Sequence, residues 1–156
     1  MASSAVDRFR DRAARAGVDV DVKEFTAETR TAADAAAAIG CDVAQIVKSL
    51  VFVADGQAVL ALTSGANRVD EPKLAAHLGV DQVRKADAAE VRAATGYAIG
   101  GTPPFGHDSA LTIVCDRDLM DHREIWAAAG TPRTVFPLSP AVLLATTGAT
   151  IADFAA

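Results

Sequence analysis

The sequence predicts one α+β domain, in which a mixed, mainly antiparallel sheet is curled like a barrel and surrounded by helices. Two apolar runs joined by Asp55-Gly56 are typical of a β-hairpin. Helical and strand-like segments follow each other without a regular βαβ alternation, which favours α+β over α/β. A length of 156 residues, 51% of them hydrophobic, suits a single domain with its own core. We therefore expect one domain over residues 1–156.

The chain begins with a predicted helix, a strand and a second helix. Ser3 or Ser4 supplies the oxygen that caps the first helix, and Gly17 ends it. In residues 18–22, valine alternates with acidic residues, which is the period of a half-buried strand. The alanine-rich segment 31–40 has a threonine at its start and a glycine at its end, so it predicts a short helix.

The middle of the chain carries the strongest strand signal. Residues 46–53 are apolar apart from Lys48 and its neighbour, and 58–62 form a second apolar run after the turn. Residues 71–78 have a helical pattern that a glycine ends, and 82–85 fit a short edge strand. This region is predicted to contribute the hairpin, a helix and an edge strand.

The last third is predicted to contain two helices and two strands. An aspartate caps the helix at 87–95, and a loop of turn-forming residues occupies 96–106. Apolar runs at 111–115 and 135–138 predict strands. A serine followed by proline opens the closing helix at 140–147.

Composition and charge narrow the classes of function. The 15 basic and 20 acidic residues give a net charge of -5 and a pI near 5.1. This balance argues against a general nucleic-acid binder, whose domains have a pI above about 9, although it permits a small basic site. The sequence has no secretory signal or long apolar run, so we expect a cytoplasmic protein. Cys41 and Cys115 lie far apart, and the histidines lack ligand spacing, so we expect no metal site.

Two features call for a chemical explanation. Lys48 is the one charge in an apolar strand, and its ammonium must reach water, a carboxylate or a ligand. Periodicity alone favours a lysine whose stem packs and whose head escapes to solvent. The second feature is the loop Gly100–Gly106, in which glycines allow close approach to a ligand and prolines add stiffness. Most such loops only turn the chain, but a rigid loop can also direct N–H groups at an oxyanion or a phosphate. Together the two features supply a cation and an oxyanion-type pocket, without an obvious nucleophile.

Motifs in a fixed order resemble the YbaK family, the free-standing relatives of the editing domain inserted in bacterial prolyl-tRNA synthetases. They are Ile46-Val-Lys-Ser-Leu50, Val69-Asp-x-x-Lys73-Leu74 and Thr95-Gly-Tyr-x-Ile-Gly-Gly-x-x-Pro-Phe-Gly-His107. The resemblance extends from the first helix to about Leu144. It implies an aminoacyl-tRNA deacylase, which hydrolyses the ester between a mischarged amino acid and the tRNA 3′ end. It also implies no cofactor and no metal, with tRNA and an aminoacyl-tRNA synthetase as partners.

The resemblance also assigns roles to residues. Lys48 would engage the phosphate of the terminal adenosine or hold the ester in place. The loop from Gly100 to Pro104 would orient the substrate, and its N–H groups, notably that of Gly101, would stabilise charge on the carbonyl oxygen. Water or a group of the substrate itself would attack, because the family uses no covalent enzyme nucleophile.

Further residues are candidates for binding the substrate. They are Gly100, Thr102, Pro104, His107 and Phe25. For His107 a solvated turn is an equal alternative, and for Phe25 core packing is the simpler interpretation. Arg8, Arg12 and Arg15 share one helix face, which is usually solvated, with contact to tRNA as the less favoured alternative.

Departures from the family pattern bear on the substrate. The branch that releases cysteine has a serine where Ala128 stands, an aspartate where Val135 stands and Ser-Pro in place of Pro103-Pro104. These differences weaken the case for a cysteinyl substrate. Two other functions stay open from the sequence: a non-catalytic module that binds aminoacyl-adenosine or docks on a synthetase, and a general hydrolase of small esters.

Overall fold

The computed structural model describes residues 4–26 and 31–156, and a mixed sheet of eight strands forms the centre of this part of the chain. The hairpin predicted from the Asp-Gly turn lies in the middle of the sheet. Asp55 and Gly56 both have positive φ, 50° and 76°, as a type I′ turn requires. The strands are β1 (Lys23–Glu24), β2 (Ile46–Ala54), β3 (Gln57–Ser64), β4 (Val83–Lys85), β5 (Thr112–Asp116), β6 (Ile125–Ala128), β7 (Thr134–Leu138) and β8 (Thr150–Ala152).

The order of the strands is β1-β7-β6-β2-β3-β5-β8, with β4 attached to β2. The pairs β1–β7, β6–β7, β2–β3 and β2–β4 are antiparallel, whereas β2–β6, β3–β5 and β5–β8 are parallel. The predicted α+β class with a mixed sheet is confirmed. The sheet is not closed into a barrel, because its path runs from β1 at one end to β8 at the other.

Helices surround the sheet, and their ends follow the predicted caps. The Ser4 side chain accepts a hydrogen bond from the Asp7 N–H and so caps the first helix, whereas Ser3 lies outside the described residues. Thr31, Asp87 and Ser139 cap later helices in the same way. The helices are α1 (Ala5–Arg15), α2 (Ala32–Ile39), α3 (Glu71–Leu78), α4 (Ala88–Thr95) and α5 (Pro140–Thr147), with 3-10 turns at Val43–Gln45 and Arg117–Asp121. None of these helices is long and apolar enough to cross a membrane.

The strand predicted over residues 18–22 is wrong. Val18, Val20 and Val22 do pack half-buried against the core, as their alternation suggested. The backbone there has no paired strand, and ladder pairing with β7 starts only at Lys23, opposite Val135. The alternating valines therefore indicate an extended segment that packs on the core, and not a hydrogen-bonded strand.

Three aromatic rings fix α1 and the loop after α4 to the sheet. Phe9 of α1 lies 5.3 Å from Phe105 of the loop and 5.0 Å from Phe136 of β7, measured between ring centroids. All three rings are buried, and such clusters stabilise through area and edge contacts. The loop that contains Gly100 is thus held by the main hydrophobic core.

Candidate functional site

A cavity of about 650 Å³ lies beside β2, where one edge of this strand loses its neighbours. Strand β3 pairs along the other edge over residues 47–54. On the cavity edge, β6 pairs with Ile46 and Val47, and β4 pairs only from Phe52 onward. Residues 48–51 line the cavity in the gap between these two strands. The order of the strands therefore creates the site.

The backbone of Ser49 faces this gap. The N–H of Gly65 donates to the carbonyl of Ile46, so even-numbered residues of β2 bond toward β3 and odd-numbered residues point the other way. Pairing with β6 ends two residues before Ser49, and the carbonyl of Val51 accepts from the Ala86 N–H. The N–H and carbonyl of Ser49 are therefore directed into the gap, with no strand paired to them in the described part of the chain. The hydroxyl oxygen is buried and has no hydrogen-bond partner there.

Lys48 lies in the cavity wall with its head held by the protein. Its Nζ donates a hydrogen bond to the backbone carbonyl of Asn67, and the side chain is half-buried. Burial is the main cause that lowers the pKa of Lys48, with Lys85 and Arg68 adding to it and Asp116 opposing it. The structure thus places this lysine on the cavity wall rather than at a solvated strand end.

A buried carboxylate fixes the turn that holds Lys48. Asp116 is 1% exposed and accepts hydrogen bonds from the N–H groups of Ser64 and Asp118, both 3.0 Å long. The side-chain amide of Asn67 donates to Asp116 and to Asp118, both at 2.8 Å. Asn67 therefore links the buried acid to the lysine. Sequence reasoning missed this pair, although an aspartate directly after an apolar strand was a usable signal.

The loop Gly100–Gly106, called the glycine loop below, forms a turn beside the cavity. The N–H of Gly101 donates to the carbonyl of Ala98 at 3.0 Å, and Gly100 has a φ of 87°, as the third residue of a type II turn requires. Gly101 packs so closely that a Cβ there would lie 2.7 Å from the Thr131 Cα. Gly100 and Thr102 line the cavity. Among the hydrogen bonds of the described residues, the backbone N–H groups of these two have no acceptor, whereas that of Gly101 does.

Three other predicted residues lie behind the wall. Pro104 is buried, and His107 places its Nε2 2.7 Å from the Pro103 carbonyl oxygen. Burial is the main cause that lowers the pKa of His107. Phe25 packs against the cluster that includes Ile46, Trp126 and Val135, which themselves line the cavity. These residues support the site from its outer side.

Two arginines of α1 hold the loop in place, which the charge pattern did not predict. Arg8 donates to the carbonyl of Gly96 at 3.0 Å, with its guanidinium carbon 5.1 Å from the centre of the Tyr97 ring. Arg12 donates to the carbonyl of Gly106 at 2.8 Å and forms an ion pair with Asp108 at 2.7 Å. The predicted solvated face holds for Arg15, which pairs with Asp11 and is mostly exposed.

The remaining wall is mostly apolar. Ala128 and Val135, two of the departures from the cysteine-releasing pattern, both line the cavity. Residues that sequence reasoning left out of the site are on the same wall: Thr31, Ala35, Val43, Lys85 and Trp126. Within residues 4–26 and 31–156, no group of three or more His, Cys, Asp or Glu side chains could hold a metal ion.

The chain is similar to a known protein family and to individual known proteins. The aminoacyl-tRNA editing domain family matches residues 26–146. A proline–tRNA ligase of Lactobacillus helveticus (strain DPC 4571) is 37% identical over 86 residues, which is 55% of this chain but 15% of the ligase. An uncharacterised protein of Bacillus subtilis (strain 168), YwhH, is 32% identical over 121 residues, covering 77% of this chain and 76% of that protein.

A solved structure has nearly the same fold. It is named, provisionally, as a trans-editing enzyme for prolyl-tRNA synthetase, and it superposes with a TM-score of 0.94 at 45% identity, covering 100% of this chain and 99% of the other. The family match spans β2, the glycine loop and most of α5, so it includes both sides of the cavity. The chain therefore belongs to the aminoacyl-tRNA editing domain family.

Proposed function

We propose that this protein is a trans-editing hydrolase that removes the amino acid from mischarged tRNA and so protects the fidelity of translation. The observation that carries the proposal is the cavity at the open edge of β2, where Lys48 lies across from the backbone of Gly100 and Thr102. The cavity size suits an aminoacyl-adenosine end, since ligand sites of about 300–1,000 Å³ are typical. Its relatives among the ligases support tRNA as the substrate.

The proposed reaction is an ester hydrolysis by water. The water oxygen bonds to the carbonyl carbon of the ester, and negative charge develops on the carbonyl oxygen. The bond to the ribose oxygen then breaks, and this oxygen takes up the proton that the water lost and leaves as the ribose hydroxyl. The N–H groups of Gly100, Thr102 and Ser49 are the candidate donors to the developing oxyanion, because they border the cavity with no internal acceptor.

Gly101 and Lys48 then have distinct roles. Gly101 shapes the turn that presents its two neighbours, since its own N–H is bonded to Ala98. Lys48 binds the phosphate of the terminal adenosine or holds the ester, and the carbonyl of Asn67 positions its ammonium. Pro104, His107 and Phe25 act on the substrate indirectly, by stiffening the loop and the wall.

Neither Ser49 nor the two cysteines are suited to form a covalent enzyme intermediate. The hydroxyl oxygen of Ser49 is buried. Cys115 is fully buried, and burial raises the pKa of its thiol to about 12. Burial also raises the pKa of Cys41. Both thiols therefore stay protonated near neutral pH, whereas attack requires a thiolate.

The test is release of labelled amino acid from a panel of mischarged tRNAs, beginning with alanyl- and cysteinyl-tRNA(Pro). We expect the wild type to exceed spontaneous hydrolysis and Lys48→Ala to lose at least about tenfold in kcat/KM, the effect of losing one charged contact worth about 1.5 kcal/mol. Lys23→Ala is the matched control, because Lys23 is exposed, forms an ion pair with Asp21 and does not line the cavity. Binding of a non-hydrolysable aminoacyl-adenosine without turnover of any ester would instead identify a non-catalytic binding module.

A synthetase is the proposed partner. The segment matched in the ligase relative described above covers 15% of that ligase. We propose that it works with a prolyl-tRNA synthetase, and that the apolar positions Ala128 and Val135 favour alanyl over cysteinyl substrates.

A further inference from the structure

Two exposed cations lie on the same side of the cavity as Lys48. Lys85 of β4 is paired with Phe52 of β2 and lines the cavity. Directly paired residues share a face of the sheet, and residues 48 and 52 of one strand also share a face. Lys85 and Lys48 therefore project from the same face, about 13 Å apart along the strand at about 3.3 Å per residue.

The other cation is Arg68. It directly follows Asn67, whose carbonyl holds the Lys48 ammonium. Its backbone is fixed, because its carbonyl accepts the Ala156 N–H at 2.9 Å and the next residue, Val69, bridges to Ala155. The side chain is exposed. The fixed backbone beside Asn67 and the electrostatic effect of Arg68 on the Lys48 ammonium place a third positive charge near Lys48.

These charges are not compensated by acids. Some exposed cations of the described residues form ion pairs, for example Arg84 with Glu90 and Arg117 with Asp153. In the same part of the chain, neither Lys85 nor Arg68 has an ion-pair partner within 4.0 Å. The nearby acid Asp116 is buried and already accepts three N–H hydrogen bonds. Three like charges therefore repel one another until an anion binds.

We propose that Arg68 and Lys85, together with Lys48, form a phosphate-binding track for the single-stranded 3′ end of tRNA. The inference rests on the proposed function and extends it outward from the ester to the nucleotides that precede the terminal adenosine. A track of this kind grips the sugar-phosphate backbone without reading bases. It also accounts for a cluster of cations on a protein whose net charge is -5.

The test measures binding of a fluorescent single-stranded RNA ending in CCA to Arg68→Gln, Lys85→Gln and the double variant, at several salt concentrations. Each single change is expected to weaken binding about twofold to fivefold, as an exposed ion pair does. Each should also reduce the slope of log K against log salt by about 0.7, the value for one phosphate contact on a single strand. The control is Arg84→Gln, which alters the neighbouring residue on the opposite face of β4.

Kinetics then separate this inference from the proposed function. For an active wild type, Arg68→Gln, which changes a residue outside the cavity lining, should raise KM for aminoacyl-tRNA and leave hydrolysis of an aminoacyl-adenosine without a 5′ phosphate unchanged. Equal losses on both substrates, or salt slopes that match the Arg84→Gln control, would overturn the track and leave the deacylase assignment intact. If the wild type hydrolyses neither substrate, the proposed function fails, and the RNA-binding slopes still decide whether the track exists. Thermal unfolding confirms that each exposed substitution leaves the fold intact.

Discussion

For a single residue, the charge of Lys48 decides what the cavity can hold. Burial and two neighbouring cations disfavour its ammonium, whereas Asp116 and the Asn67 carbonyl favour it. The pKa of the ammonium therefore depends on each of these neighbours. The network through Asn67 therefore belongs to the function of the lysine as much as to the stability of the turn.

The pH dependence of activity follows from the lowered pKa of Lys48. In the proposed role of Lys48 the ammonium is the working form, so kcat/KM should fall as pH rises through this lowered pKa, below the value of an ordinary lysine. Folding stability has the opposite slope in that window, since the unfolded chain binds the proton more tightly. Asp116→Asn removes the acid that raises the pKa of Lys48, so the alkaline fall in activity should move to lower pH.

The control for this prediction is Lys48→Arg. A guanidinium stays charged at every pH of the assay, so whatever activity it supports should lack the alkaline fall. An unchanged pH profile in Asp116→Asn, measured on protein shown to be folded by circular dichroism, would contradict the role given to the acid.

Among the elements of the fold, α1 is the helix whose arginines hold the glycine loop in a fixed conformation. Arg12→Ala removes a hydrogen bond to Gly106 and the ion pair with Asp108, which are both partly exposed. We expect a loss of about 1 kcal/mol in the free energy of unfolding. A fall in kcat should accompany it, since the loop donors are then less well aligned, although Arg12 is outside the cavity wall.

Chemical denaturation and steady-state kinetics together check the role of α1. Arg15→Ala is the comparison, because it removes a mostly exposed pair with Asp11 on the same helix and should change both quantities little. If Arg12→Ala lowered stability but left kcat at the wild-type value, the helix would support the fold without aligning the loop.

Elements with local signals were the ones that the sequence could predict. Caps such as Thr31 and Ser139 and the Asp55-Gly56 turn operate over a few residues, and the structure confirms all of them. Strands β6 and β8 were missed because they are only four and three residues long and include alanines, whose intrinsic strand preference is low. Their pairing depends on distant partners that no short window contains.

In the whole molecule, the site depends on which strands share an edge of β2. Lys48, Gly100 and Thr102 could be predicted from sequence motifs and do meet at one cavity. The gap that exposes the Ser49 backbone could not be predicted from the sequence. It arises because β6 and β4 pair with the same edge of β2 but leave the residues between them unpaired. Sheet order is a long-range property, so the open edge and the cations near it became visible only in three dimensions.

The acidity of the whole molecule predicts how little of the tRNA it touches. In the proposed function, a chain with a net charge of -5 gains nothing from long-range attraction to the tRNA body, so its contacts should be confined to the cations near the cavity. We expect kcat/KM for an aminoacylated acceptor-stem minihelix to lie within about twofold of that for full tRNA, with a salt slope of about -2 from three phosphate contacts. Parallel kinetics on both substrates from low to physiological salt measure this. A much steeper slope, or a large preference for full-length tRNA in the absence of any partner, would show a second contact surface on the tRNA body and contradict the small footprint.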